Sequence, residues 1–200
     1  MKLESISPVL KHFNLPNVIT TLGLVFGIFA AFYLTQHELR LAIILLFFAG
    51  LMDLFDGFVA VKLNQVSNFG KHLDTLVDFF TCVIMPIWMV FALLDSNLFI
   101  IAALVFYCIC GLWRLANYNL VGGGKHFTGL PVPAAMSVVT IAMWFVVIQG
   151  ITVWVMAGVF VLMGMLMLST LPLAKYGKWQ VISGLGGFGF LIYVIIFGAR

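Results

Sequence analysis

Asp53, Asp56, Asp74 and Asp78 stand in a fixed register with two glycines: Asp53-x2-Asp56-Gly57, then Gly70-x3-Asp74-x3-Asp78. The chain holds seven acidic residues, so more than half of its carboxylates fall in this one stretch. The surrounding run, LLFFAGLMDLFDGFVAV, is apolar enough to lie in a bilayer. A carboxylate at the centre of a membrane helix costs about 2.5–3.5 kcal/mol on insertion scales. Four together are tolerable only with cations between them, and no run of arginines lies nearby. Carboxylates in this arrangement suit hard divalent ions such as Mg²⁺ or Mn²⁺. Two such ions a few ångströms apart can clamp a diphosphate and stabilise both oxygens of an in-line displacement.

The spacing also says how the acids are carried. Each residue advances about 100° round an α-helix, so Asp53 and Asp56 lie about 60° apart and Asp74 and Asp78 about 40° apart. The connection VKLNQVSNF is short, which predicts two antiparallel neighbouring helices with the acid pairs facing each other. Gly57, Ala60 and Gly70 are read as small where the helices must approach each other and a bulky phosphate ligand. The rival reading pairs the acids with Lys62, Lys71 or Arg114 as helix caps. It leaves two charges inside an apolar run without a reason. Asp95, in Asp-Ser-Asn, reads as a turn and helix start, and Glu4 and Glu38 read as solvated.

The elements that must position these residues are membrane helices. Of 200 residues, 64% are hydrophobic and 8% charged, against about 25% charged in ordinary soluble domains. Apolar segments at roughly 17–34, 41–61, 70–94, 97–119, 131–149, 151–171 and 181–198 each approach the ~20 residues that cross a bilayer. The expected fold is all-α: a polytopic bundle of about six to eight transmembrane helices. Residues 1–14 read as an amphipathic juxtamembrane segment on the membrane surface, with Leu3, Ile6, Val9, Leu10 and Phe13 at helical spacing. Residues 15–200 form the membrane domain. No cleavable signal peptide is read at the start. An N-terminus in the cytoplasm puts Lys2, Lys11, Lys62, Lys71, Arg114, Lys125, Lys175 and Lys178 inside, with only Arg40 and Arg200 outside. That positive-inside bias places the aspartates at the cytoplasmic face of the cell membrane. Cys82, Cys108 and Cys110 lie in apolar runs and read as packing residues. A net charge of +3 is too small to imply nucleic acid.

Asp53-x2-Asp56-Gly57-x2-Ala60-x9-Gly70-x3-Asp74-x3-Asp78 resembles the signature of the CDP-alcohol phosphatidyltransferases. A second stretch, Arg114-Leu115-Ala116-Asn117-Tyr118-Asn119 followed by Phe127-Thr128-Gly129-Leu130-Pro131-Val132-Pro133, is similar to that of membrane-embedded bacterial and archaeal phosphatidylserine synthases. The resemblance runs from about residue 15 to 135. It implies two divalent cations, Mg²⁺ or Mn²⁺, held by Asp53, Asp56, Asp74 and Asp78, with Asp78 as ligand or general base. It further implies a CDP-linked lipid and a small alcohol as substrates, a lipid bilayer setting and a homodimer. Gly57, Ala60, Gly70 and Lys71 become candidates for the CDP-phosphate side. Arg114, Asn117, Lys125, Pro131 and Pro133 become candidates for contacts to acceptor or phosphate, with interfacial anchoring the rival for Arg114 and an ordinary loop the rival for Lys125.

Two positions depart from the pattern. The family usually carries arginine directly after the alanine of its signature; here Val61 stands there, with Lys62 one residue and about 100° further round the helix. Asn117 occupies a place where the synthases commonly have a second arginine. The expected activity is transfer of a phosphatidyl group from CDP-diacylglycerol to L-serine. The alternatives are another acceptor (glycerol 3-phosphate, inositol phosphate or choline) or a catalytically silent relative. A cation transporter would spread its acids through the bilayer depth, whereas these are confined to two helix ends.

Overall fold

The computed structural model describes residues 8–121, 126–170, 172–174 and 189–196, and the account that follows is of these. They build a helical bundle whose elements follow the apolar segments of the sequence. A 3-10 helix at Pro8–His12 precedes α1 (Leu15–Thr35) and α2 (Leu39–Lys62). The third span, Asn68–Leu93, is made of α3 (Asn68–Asp78), a π-helical turn (Phe79–Ile84) and α4 (Met85–Leu93). Then come α5 (Leu98–Val121), α6 (Val132–Gln149) and α7 (Trp154–Leu168). Residues 189–196 are helical, and the remainder of the expected 181–198 span lies outside the described residues.

Five of these helices are long and apolar enough to cross a membrane, which makes the chain a multi-pass membrane protein. The sixth, α7, has 15 residues, or roughly 22 Å at 1.5 Å per residue, short of a ~30 Å hydrocarbon core. One feature is not helical at all. His126–Thr128 (β1) pairs antiparallel with Pro172–Ala174 (β2), tying the segment before α6 to the segment after α7.

Local chemistry sets the helix ends near the acids. The Asn14 side chain accepts the Asn17 N–H at 3.0 Å and caps α1, with Pro16 in the first turn. The Ser67 hydroxyl accepts the Gly70 N–H at 3.0 Å and caps α3. Both are the side-chain N-caps that satisfy orphan backbone donors. Asn97 does the same for α5, accepting from Ile100, so the Asp-Ser-Asn segment is the turn and helix start its sequence suggests. Of the surface segment 1–14, residues 1–7 lie outside the described set. In the rest, Val9 and Phe13 are exposed, at 62% and 71%, next to Lys11 and His12.

The packing corrects one expectation. The backbones of α2 and α3 approach each other at few points; α1 is the helix packed along α2 and also against α3. The reason lies in the buried face of α1: Asn17, Thr20, Gly23, Gly27 and Ala30 recur at three- and four-residue spacing. Small residues let helix backbones come close where no hydrophobic gain separates protein from lipid. Helices α2 and α3 therefore diverge around a gap backed by α1.

Candidate active site

That gap collects the acids. Asp53 and Asp56 come from α2, Asp74 and Asp78 from α3, and all four line one cavity. One carboxylate oxygen from each of Asp53, Asp56 and Asp74 lies within 4.8 Å of the others. Asp78 stands outside this group of three. Its Oδ1 lies 3.8 Å from Cys82 Sγ.

The enclosed space is about 10 Å³, about the room one water-sized sphere needs. Its lining is completed by Thr20 and Gly23 of α1, Ala49 and Gly50 of α2, Val77, Thr81, Cys82 and Pro133. Among the described residues no lysine or arginine lines it, so the salt-bridge reading of the acids fails here. Oxygen donors converging without a basic partner are a donor set for a hard cation. The acidic group fits metal ions.

All but one of the remaining sequence candidates fall within the described residues. Gly70 sits where α3 meets α1: a Cβ there would lie 2.9 Å from Asn17 Oδ1. The tight approach expected of it is real, though the partner is α1 rather than α2. Around Gly57 a Cβ would meet nothing within 4 Å, so helix packing gives no reason for that glycine. Ala60 is half-buried and Lys71 exposed. Val61 is 69% exposed, and Lys62 lies over the Phe58 ring at 5.7 Å, turned to its own helix rather than to the acids. Arg114 is 7% exposed, and its Nε is buried without a hydrogen-bond partner among the described residues. It stands outside the cavity lining, and Asn117 is exposed. Lys125 lies outside the described residues.

The proline segment is brought to the acids more directly than its sequence distance suggests. Pro131 precedes α6 as its N-cap, and Pro133 lines the carboxylate cavity. The chain reaches this place through Gly129, whose φ is +79° and where a Cβ would collide with the Met167 carbonyl oxygen. Leu130 N–H donates to the Leu166 carbonyl at 2.9 Å. The end of α7 thus fixes the entry to α6.

Sequence reasoning missed α1. Thr20 donates a hydrogen bond from its hydroxyl to Asp56 Oδ2, and both residues are buried. Asn17 Nδ2 donates to the His12 carbonyl at 2.7 Å, and the His12 ring stacks on Phe69 at 4.2 Å, one residue before Gly70. The signal was there: Asn17 and Thr20 stand at three-residue spacing in the first turns of a mostly apolar helix.

Comparison with known proteins bears on this geometry. The sequence profile of the CDP-alcohol phosphatidyltransferases matches residues 13–170. The chain belongs to this family. The matched region holds the four aspartates, Arg114 and the proline segment, and ends two residues after α7. The chain is 31% identical over 168 residues to the CDP-diacylglycerol–serine O-phosphatidyltransferase of Methanocaldococcus jannaschii, covering 83% of this chain and 76% of that one. It is 34% identical over 125 residues to the archaetidylserine synthase of Methanothermobacter thermautotrophicus, covering 60% and 54% respectively. It is 32% identical over 124 residues to the CDP-diacylglycerol–serine O-phosphatidyltransferase of Bacillus subtilis, covering 60% and 70%.

Proposed function

We propose that this family member transfers a phosphatidyl group from CDP-diacylglycerol, or its ether-lipid counterpart, to the hydroxyl of L-serine, releasing CMP. The observation that carries the reading is the meeting of the Asp53, Asp56 and Asp74 carboxylates within 4.8 Å, in a cavity without a basic lining residue among those described. The serine acceptor rests on relatives named for serine and ether-lipid serine transfer.

Asp53, Asp56 and Asp74 would hold two divalent cations, Mg²⁺ or Mn²⁺, with Asp78 at their side. Bound there, the ions supply positive charge to the diphosphate and its leaving group, the main electrostatic need of phosphoryl transfer. The cavity is too small for a diphosphate, so the nucleotide lies outside it. We assign Gly57, where a Cβ would meet nothing within 4 Å, to the CDP-phosphate side together with Ala60, Gly70 and Lys71. The serine oxygen attacks the phosphorus nearer the lipid, the bond from that phosphorus to the bridging oxygen breaks, and CMP departs with the bridging oxygen. Asp78, apart from the group of three, takes the hydroxyl proton as general base. Arg114 meets an anionic group of one substrate, since its fork suits a carboxylate or a phosphate. Asn117, Lys125, Pro131 and Pro133 bound the acceptor side. The charge bias of the loops supports insertion in the cell membrane with the site facing the cytoplasm, and the working unit is a homodimer.

The test is an acceptor panel. Purified protein, CDP-diacylglycerol and Mn²⁺ are incubated with serine, glycerol 3-phosphate, inositol phosphate or choline, and CMP release is followed. Release that depends on serine is expected. Release with another alcohol alone rejects the serine assignment, and no release with any of them rejects the enzyme reading.

A further inference from the structure

The span that carries Asp74 and Asp78 is interrupted immediately after Asp78. Residues Phe79–Ile84 form a π-helical turn, and α4 resumes at Met85 with Pro86 in its first turn. The sequence explains the interruption. Proline has no N–H, and its ring clashes with the carbonyl four residues back, which here belongs to Cys82. An α-helix would give that carbonyl the N–H of residue 86, and proline removes it. The wider turn relieves the clash, and the Met85 N–H passes to the Phe80 carbonyl.

The Cys82 carbonyl finds its donor on another helix. The Tyr107 hydroxyl of α5 donates to it at 2.9 Å. Tyr107 is fully buried, its ring edge-on to Phe160 at 5.0 Å. Neighbours press on the turn from two sides. A Cβ at Gly111 of α5 would lie 2.7 Å from Val83 Cγ2, and one at Gly27 of α1 would lie 2.9 Å from Thr81 Cγ2.

The turn opens onto the acids. Thr81 and Cys82 line the same cavity as the four carboxylates, and Cys82 Sγ touches Asp78. Turns of this kind are frequent at functional sites. We propose that Tyr107 is a positioning residue: by holding the Cys82 carbonyl, whose α-helical donor Pro86 removes, it fixes the π turn in the register that aims Asp78 at the other three carboxylates. This rests on the reading of the acids as the metal and base site, and adds to it a residue from a helix that contributes nothing to the cavity lining.

The experiment compares the parent with Tyr107→Phe, with Pro86→Ala combined with Tyr107→Phe, and with Asp78→Asn, each purified in detergent. Tyr107→Phe keeps the ring and its contact with Phe160 and loses only the donor. Its kcat for CMP release should fall on the order of tenfold, with KM for CDP-diacylglycerol changed by less than about twofold. Its Mn²⁺ affinity, read from the electron paramagnetic resonance signal of free Mn²⁺, should weaken by a similar factor. In the double variant residue 86 regains the N–H that an α-helical turn would direct at the Cys82 carbonyl, and most of both losses should be recovered. A packing role for Tyr107 would not be repaired in this way. The proposal is overturned by a Tyr107→Phe protein that matches the parent in kcat and Mn²⁺ affinity, or by a double variant as impaired as the single one. If Tyr107→Phe does not fold, a folded and active double variant supports the proposal and an unfolded one overturns it. Full activity in Asp78→Asn would instead defeat the reading of the site, whereas an inactive Asp78→Asn beside an unimpaired Tyr107→Phe defeats only the positioning role.

Discussion

Thr20 and Asp56 are joined by a hydrogen bond from the hydroxyl of α1 to the carboxylate of α2, with both side chains buried. The Thr20 hydroxyl also lies 3.2 Å from the Pro16 carbonyl, so the backbone oxygen and the carboxylate share its single proton. A carboxylate held at one oxygen keeps the other free for a cation. Groups that orient metal ligands in this way typically influence affinity or activity 10–100-fold.

Replacing Thr20 by valine preserves shape and removes the donor. We expect the Mn²⁺ concentration for half-maximal CMP release to rise on the order of tenfold, while Thr20→Ser stays near the parent. A metal titration of the activity measures both. An unchanged midpoint in Thr20→Val would separate Thr20 from the metal site.

The four acids should divide by role. Asp53→Asn, Asp56→Asn and Asp74→Asn remove oxygens from the group that meets within 4.8 Å, and should lose Mn²⁺ binding and turnover together. Asp78→Asn should weaken Mn²⁺ binding on the order of tenfold, while its turnover falls further, by about 10²–10⁴, the usual contribution of a general base. Direct binding and steady-state kinetics on the same preparations distinguish the two patterns. Chelation by EDTA should abolish CMP release in the parent, and added Mn²⁺ should restore it.

Gly129 should not tolerate a side chain. Its φ of +79° disfavours any L side chain, and the Met167 carbonyl oxygen occupies the place a Cβ would take, so alanine has neither conformation nor room. Strain of this kind costs about 1–3 kcal/mol. Gly129→Ala should therefore lower the thermal midpoint in detergent, and should also reduce turnover, because the segment it starts delivers Pro133 to the cavity.

Arg114→Lys tests the unpartnered Nε. Lysine keeps the charge and loses the planar fork. The KM of the substrate whose anionic group Arg114 meets should rise on the order of tenfold, the size of one lost charge-assisted hydrogen bond of about 1.5 kcal/mol, with the other KM unchanged. Separate titrations of serine and CDP-diacylglycerol identify the group; no change in either would remove Arg114 from substrate binding.

Much of this protein was readable from its residues because the bilayer imposes simple rules. Backbone polar groups must be satisfied within each helix, so long apolar runs had to become spans, and α1, α2, α5 and α6 begin and end within a few residues of where the sequence places them. Carboxylates are costly in such runs, so Asp53, Asp56, Asp74 and Asp78 stood out by their type and spacing, and the fold brings all four to one cavity.

What sequence distance and helical periodicity could not supply was which helix stands behind the acids. A short α2–α3 connection suggested direct packing, but small side chains on α1 let that helix come closer to both, and Thr20 entered the site with it. The same limit hid the β1–β2 ribbon, the approach of Pro133 and the bond from Tyr107 to Cys82. Each depends on contact between segments far apart in the chain, where closeness is decided by how side-chain volumes and leftover hydrogen-bond donors fit together in three dimensions.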